Sequence, residues 1–229
     1  MRAARAPAGA WLLRLLAPSA GWIEFTRLYA FFRWLDDAVD APGRDPAAVG
    51  ALVASQAALV GGRRTPVCPE EAGLVDALAA DPAVRAVVTP MLAALAFDAA
   101  RPPGPTPAAD VVAQAERVGD AYLLALWRAF RTPGQPPEGL AELARAACLM
   151  HLLRDRHIDR ALGYDNRPPL PSGEPQPEAA WVHDVATDAA RRFARGHAVL
   201  RRVPGLRLRL VLRLYAWRYA RIDPANPRR

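Results

Sequence analysis

Lysine is absent from this 229-residue chain, and all 30 basic residues are Arg. Together with an excess of Ala and Pro, that is the composition of a GC-rich genome, so much of the Arg content is codon bias. Aromatics supply only 7% of residues although hydrophobic residues reach 52%. The apolar content is therefore mainly Ala, Leu and Val, which favours close-packed helices over a β-sandwich. No segment alternates with a period of two for long enough to make a convincing strand. Only two cysteines occur, Cys68 and Cys148, far apart and in no metal-ligand spacing. They read as buried, reduced thiols of a cytosolic protein. No run of about 20 uninterrupted apolar residues exists, so no membrane span is expected. The N-terminal stretch up to Trp22 faintly resembles a signal peptide, but Arg14 interrupts its apolar run. Zinc-finger, Rossmann and P-loop spacings are missing, as is any basic segment interleaved with stacking aromatics.

What is present is an uneven charge. The formal net charge is +7, yet from Arg191 onward there are twelve Arg against one acid, Asp223. A basic tail suits nucleic acid, an anionic membrane surface or a diphosphate substrate, and the missing motifs make nucleic acid the weakest of these. The C-terminal segment carries Leu, Tyr and Trp among Arg207, Arg209, Arg213, Arg218 and Arg221. It reads as a core helix with an Arg-bearing solvent face, or as a membrane-surface element. The expected location is cytoplasmic, with room for peripheral membrane contact.

Pro and Gly divide the chain into helical blocks. Helices are expected over about Gly21–Asp40, Ala47–Val60, Glu70–Leu78 and Ala83–Ala100, the last divided near Pro90. Thr106 or a neighbour should cap a helix running from Ala108 to Arg131. Further helices are expected over Glu138–Leu162, Glu178–Leu200 and Leu206–Ile222. Residues 163–177, rich in Pro, Gly, Asn and Ser, read as a flap or loop. The expectation is one all-α domain spanning 1–229, a helical array around one core, with room for disorder over 1–15.

Two helical runs carry chemistry. In Leu28-YAFFRWLDDAVD, Asp36 and Asp40 are four apart and project from one face, with Asp37 turned aside. Two like charges so placed repel, and a divalent cation resolves the repulsion. Hard carboxylate oxygens near a helix end suit Mg²⁺, which completes its shell with water and phosphate oxygens. Leu152-LRDRHIDRALG repeats the device with Asp155 and Asp159, and Arg154 stands beside them. If these helices ran antiparallel across a cavity, four carboxylates would face a gap that a diphosphate could fill, with Arg clamping its oxygens. Ala-rich walls would then hold an apolar chain. One such Asp pair is a common solvated helix face; two, each in an apolar run beside an Arg, are a stronger signal. A transition-metal site on His151, Asp155 and Asp159 is the bundle alternative, but the Glu-x-x-His pairs of di-iron bundles are missing.

These residues resemble the squalene/phytoene synthases, as a divergent and short example. Tyr29-AFFRWLDDAVD is similar to that family's Tyr-Ala-Phe-x-Arg-x-x-Asp-Asp-x-x-Asp signature, and Leu153-RDRHID to its second Asp-rich motif. Asp98 and the Tyr215-AWRYARI segment support the register. The resemblance implies an all-α isoprenoid-synthase fold with a central cavity between the two Asp-rich helices. It also implies Mg²⁺ on Asp36, Asp40, Asp155 and Asp159, and diphosphate contacts from Arg33 and Arg154. Tyr29, Phe32, Gly119, Tyr122, His151 and Tyr215 are its implied substrate-binding positions, although core packing is the plainer role for each aromatic. The implied activity is head-to-head coupling of farnesyl or geranylgeranyl diphosphate with release of diphosphate.

The sequence also departs from the family. Ala113-QAERVG lacks the Tyr that precedes a Val-Ala-Gly segment, Cys148 and His151 replace Gln and Asn, and Gly163-Tyr164 replaces Gly-Arg. Those changes spare the metal ligands but touch groups expected to handle a second diphosphate. They favour a relative that ionises one prenyl diphosphate and cyclises it, or transfers it to a second small-molecule acceptor. A reading of another class is a non-catalytic helical assembly or membrane-surface binding protein. His157 is expected to face solvent, and His183 and His197 have no assigned partners.

Overall fold

Proline and glycine set the helix boundaries, and apolar spacing sets the buried faces. The computed structural model describes residues 10–41, 43 and 45–223. The chain divides into two compact units, Met1–Arg101 with Leu124–Pro133, and Pro102–Leu123 with Gly134–Arg229. Of the segment expected to allow disorder, residues 1–9 lie outside the described residues. Ala10–Leu16 forms a short helix, α1, which buries Leu13.

The first unit is built from α2 (Ser19–Val39), α3 (Pro46–Val60), α4 (Pro69–Ala80), α5 (Arg85–Ala100) and the end of α6 (Ala108–Ala129). In α2, Phe25, Leu28, Phe31, Leu35 and Val39 recur every three or four residues and form one buried stripe. It packs on α4 and α5, and α3 packs on α5. Asp45 caps α3 by accepting the Ala47 N–H at 3.0 Å, with Pro46 in the first turn. The expected division of α5 near Pro90 does not occur. Proline removes one backbone bond, but Val87, Val88, Ala94 and Leu95 are buried on either side of it and keep the helix continuous. Among the described residues, Pro82–Ala100 is long and apolar enough to cross a membrane by length and composition, with mean hydropathy 1.5. Here α5 packs onto α2 and α3. Gly21 is required where α2 meets the end of α6: a Cβ there would lie 1.9 Å from the Ala129 carbonyl oxygen. Beside it, buried Glu24 accepts from Arg128 at 2.8 Å and pairs with Arg131 at 3.1 Å. Loss of either Arg would leave a buried charge undercompensated.

The second unit contains the start of α6, then α7 (Glu142–Ala161), α8 (Glu178–Val199) and α9 (Leu206–Ala220). α7 is its centre, packing against α8 and α9, and Leu143, Ala146, Ala147, Leu149, Met150 and Leu153 are all buried. Two glycines bring neighbours close to it. A Cβ on Gly119 would meet the Arg145 backbone nitrogen at 2.7 Å, and one on Gly196 would meet Leu143 Cγ at 2.5 Å. α7 starts later than Glu138 because Gly139 has φ +82, a left-handed conformation that ends helical pairing. For the same reason α6 stops at Ala129 rather than Arg131, whose φ is 51.

Thr106 does not cap α6. Its side-chain oxygen is buried with no hydrogen-bond partner among the described residues, while its N–H donates to the Asp165 carbonyl at 2.9 Å. That bond belongs to a two-residue parallel pairing, β1 (Gly104–Pro105) with β2 (Tyr164–Asp165), which ties the loop before α6 to the loop after α7. Cys68 and Cys148 are free and half-buried rather than buried, and burial followed by the charge of Asp120 pushes the Cys148 thiol up to about 12.

Candidate active site

Each unit carries one of the two predicted carboxylate pairs. In the first, Tyr29, Arg33, Asp36 and Asp40 share one side of α2, at successive spacings of four, three and four residues. Asp40 is the residue that ends the helix, and its N–H donates to the Asp36 carbonyl at 2.9 Å. Two carboxylates thus sit at the negative end of the helix dipole, with no basic residue in the last turn. Asp36 records the strain: burial and then the charge of Asp40, with smaller contributions from Asp98 and Asp37, raise it to about 7 against the opposing effect of Arg33. Arg33 donates to Asp36 at 2.9 Å and also pairs with Asp37, so its guanidinium is held on its own helix. Burial raises the Tyr29 hydroxyl. The Tyr29 ring stacks on Phe25 at 6.5 Å, and Phe32 stands edge-on to Phe31 at 5.3 Å.

The second unit arranges its pair differently. Arg154 forms a fork on Asp155, with Nε and Nη2 at 2.7 and 2.6 Å. Burial alone would raise Asp155, but this fork, aided by His151, holds it down at about 2. His151 Nδ1 lies 3.8 Å from the carboxylate. Its Nε2 is 2.7 Å from the Tyr219 hydroxyl. Asp159 accepts from the side-chain amide of Asn166 at 2.8 Å, and Asn166 is only 4% exposed. Tyr122 of α6 stacks on Tyr215 of α9 at 5.0 Å, and Tyr215 meets Tyr219 edge-on at 4.8 Å. Burial holds Tyr215 protonated, well above the usual tyrosine range. Gly119 is buried at the contact of α6 with α7, where packing alone demands glycine. His157, His183 and His197 are exposed.

The sequence reading missed Asn166 and Tyr219. Tyr219 was within reach, one helical turn beyond Tyr215. Asn166 lies in a loop whose return to Asp159 no local pattern announces.

The donor chemistry fits Mg²⁺. Among the described residues no cluster of three or more His, Cys, Asp or Glu could hold a metal by itself. Each unit instead offers an aspartate pair. Mg²⁺ is commonly held by one or two carboxylates plus phosphate oxygens and water, rather than by a full protein cage. A separate apolar cleft of about 520 Å³ lies between α3 and α5, lined by Gly50, Val53, Ala54, Ala57, Leu92 and Ala96 among others, and by none of the predicted site residues.

With this geometry described, the class follows: the chain has the all-α fold of the isoprenoid-synthase type. It is similar to the solved structure of squalene synthase HpnC from Alicyclobacillus acidocaldarius, with a TM-score of 0.72 and 20% identity over 95% of this chain and 87% of that one. No family model matches the chain, and no curated protein matches it.

Proposed function

We propose that this protein is a Mg²⁺-dependent enzyme that ionises a prenyl diphosphate and couples the prenyl unit to a second one, releasing diphosphate. The observation that carries the reading is the Asp36–Asp40 pair. Repelling carboxylates at a helix C-terminus, one of them raised to about 7, form an arrangement that a divalent cation stabilises. The squalene-synthase-like fold supports the same substrate class. Asp36 and Asp40 would hold metal from the first unit, and Asp155 and Asp159 from the second. Mg²⁺ would supply the positive charge that stabilises diphosphate as a leaving group.

The remaining work belongs to the chain. Arg33 and Arg154 are each paired with carboxylates of their own motif, and would transfer hydrogen bonds to diphosphate oxygens once metal neutralises those carboxylates. Asn166 holds Asp159 in one orientation. The faces of Tyr29, Phe32, Tyr122 and Tyr215 would offer electron density to an allylic cation, and burial keeps Tyr215 neutral as it does so.

A second reading is a relative that ionises one prenyl diphosphate, releases diphosphate, and then cyclises the prenyl group or passes it to another acceptor. His151 favours it: this side chain stands beside Asp155, held by Tyr219, where the resembled family carries Asn. One experiment tests both. The protein is incubated with Mg²⁺ and geranyl, farnesyl or geranylgeranyl diphosphate, diphosphate release is followed, and products are weighed by mass spectrometry. Release that EDTA, Asp36→Ala and Asp155→Ala each abolish supports ionisation chemistry. A product of two joined prenyl units supports coupling, and a single cyclised unit supports the second reading. Unimpaired release by both variants would sink the assignment of the aspartates.

A further inference from the structure

α9 is apolar on two sides. Leu208, Val211, Leu212 and Ala216 are buried, as expected for a helix packed on α7 and α8. The opposite side exposes Leu206 (77%), Leu210 (46%), Leu214 (39%) and Trp217 (54%). At about 100° per residue these four fall within a stripe about 80° wide. Exposed Arg213 borders one edge, exposed Arg207 and Arg218 border the other, and Arg201 and Arg202 precede the helix. Arg221 lies over the Trp217 ring, with its guanidinium carbon 4.1 Å from the ring centroid. α9 contains no acid.

We infer that this face lies on an anionic lipid bilayer, with Leu206, Leu210, Leu214 and Trp217 in the headgroup–acyl boundary and the flanking Arg side chains at lipid phosphates. Charge complementarity selects this occupant. A second copy docked on the same stripe would bring Arg207, Arg213 and Arg218 against their own counterparts, a like-charge contact. Nucleic acid would satisfy the arginines and leave the leucines in water. An anionic bilayer satisfies both, because arginine extends its head to the phosphates while its stem lies along apolar surface. The inference does not depend on the prenyl-diphosphate reading and is tested without turnover.

The test is flotation of the full chain with vesicles of phosphatidylcholine alone, or with about one-third phosphatidylglycerol. Binding to the anionic vesicles and not to the neutral ones is expected, weakening as salt is raised. Arg207→Gln with Arg213→Gln should weaken partition roughly 25-fold, about fivefold for each charge removed. Leu210→Ser with Trp217→Ser should reduce it at least about tenfold. Because every altered side chain is exposed, an unchanged circular dichroism spectrum and melting midpoint confirm that the variants fold. Absence of binding to anionic vesicles overturns the inference. So does full binding by the Leu210/Trp217 variant, and so does a stable dimer that this variant dissolves.

Discussion

Asp36→Asn should stabilise the metal-free protein while abolishing its proposed chemistry. The side chain keeps its size and loses a charge that the fold disfavours. Asp36 rises from 3.8 to about 7 on folding, so the folded state holds its proton more tightly than the unfolded chain does. Its contribution to stability is therefore complete below about pH 4 and is lost as pH climbs through about 7. The asparagine variant has nothing to lose over that window. At full strength the shift corresponds to about 4 kcal/mol. The side chain is 41% exposed, and solvent screening reduces this to about 1–2 kcal/mol.

For a chain of this length that is roughly 2–8 °C in melting midpoint. The assay is thermal unfolding of both proteins in EDTA across a pH series. The variant's advantage should be small near pH 4, grow through pH 7 and level off above it. Adding Mg²⁺ with inorganic diphosphate should then stabilise the wild type and leave the variant nearly unmoved. A variant less stable than wild type at about pH 8, or an advantage that does not change with pH, would refute the electrostatic account of the pair.

Three further outcomes follow from the same geometry. Asp155→Asn should do the opposite of Asp36→Asn: Asp155 is held at about 2, so its stabilisation is present above 3.8 and disappears as pH falls toward that lower value. The variant should be about 1–2 kcal/mol less stable near neutrality, with the gap closing in acid, as read from urea melts. Asn166→Ala removes a buried amide that donates to Asp159 at 2.8 Å, and should raise the Mg²⁺ needed for half-maximal diphosphate release by about 10–100-fold. An unchanged Mg²⁺ titration would show that Asn166 does not orient a ligand. Gly119→Ala places a Cβ 2.7 Å from the Arg145 backbone nitrogen. Because backbone cannot rotate away, the urea midpoint should fall by the equivalent of about 1–3 kcal/mol.

What could be read from the sequence was local. Proline, glycine and apolar spacing placed the helices to within a few residues, and a four-residue period placed both aspartate pairs on helix faces. The failures were also physical. Pro90 looked like a break because its lost hydrogen bond is visible in the sequence, whereas the burial of Val87, Val88, Ala94 and Leu95 that sustains α5 is not. Gly139 and Arg131 set boundaries through left-handed backbone that composition did not announce. Asn166 reaches Asp159 only because the loop after α7 is tied back by β2 to the segment before α6.

Arg33 and Arg154 also change the electrostatic argument. Each was expected to be a ready diphosphate contact, yet each is already engaged by a carboxylate of its own motif. The first motif sets Asp36, Asp37 and Asp40 against Arg33, whereas the second sets Asp155 and Asp159 against Arg154 and Arg156, the latter engaged by Glu178 at 2.9 Å. With its carboxylates ionised, the first motif carries net negative charge and would repel a bare diphosphate, while in the second both arginines are already held by carboxylates. On the proposed reading, a divalent cation held by the aspartates would neutralise the carboxylates and weaken their hold on Arg33 and Arg154. On that reading Arg33 and Arg154 would not recruit the substrate by themselves but would become available to diphosphate when the aspartates hold metal, so metal and diphosphate binding would be mutually dependent.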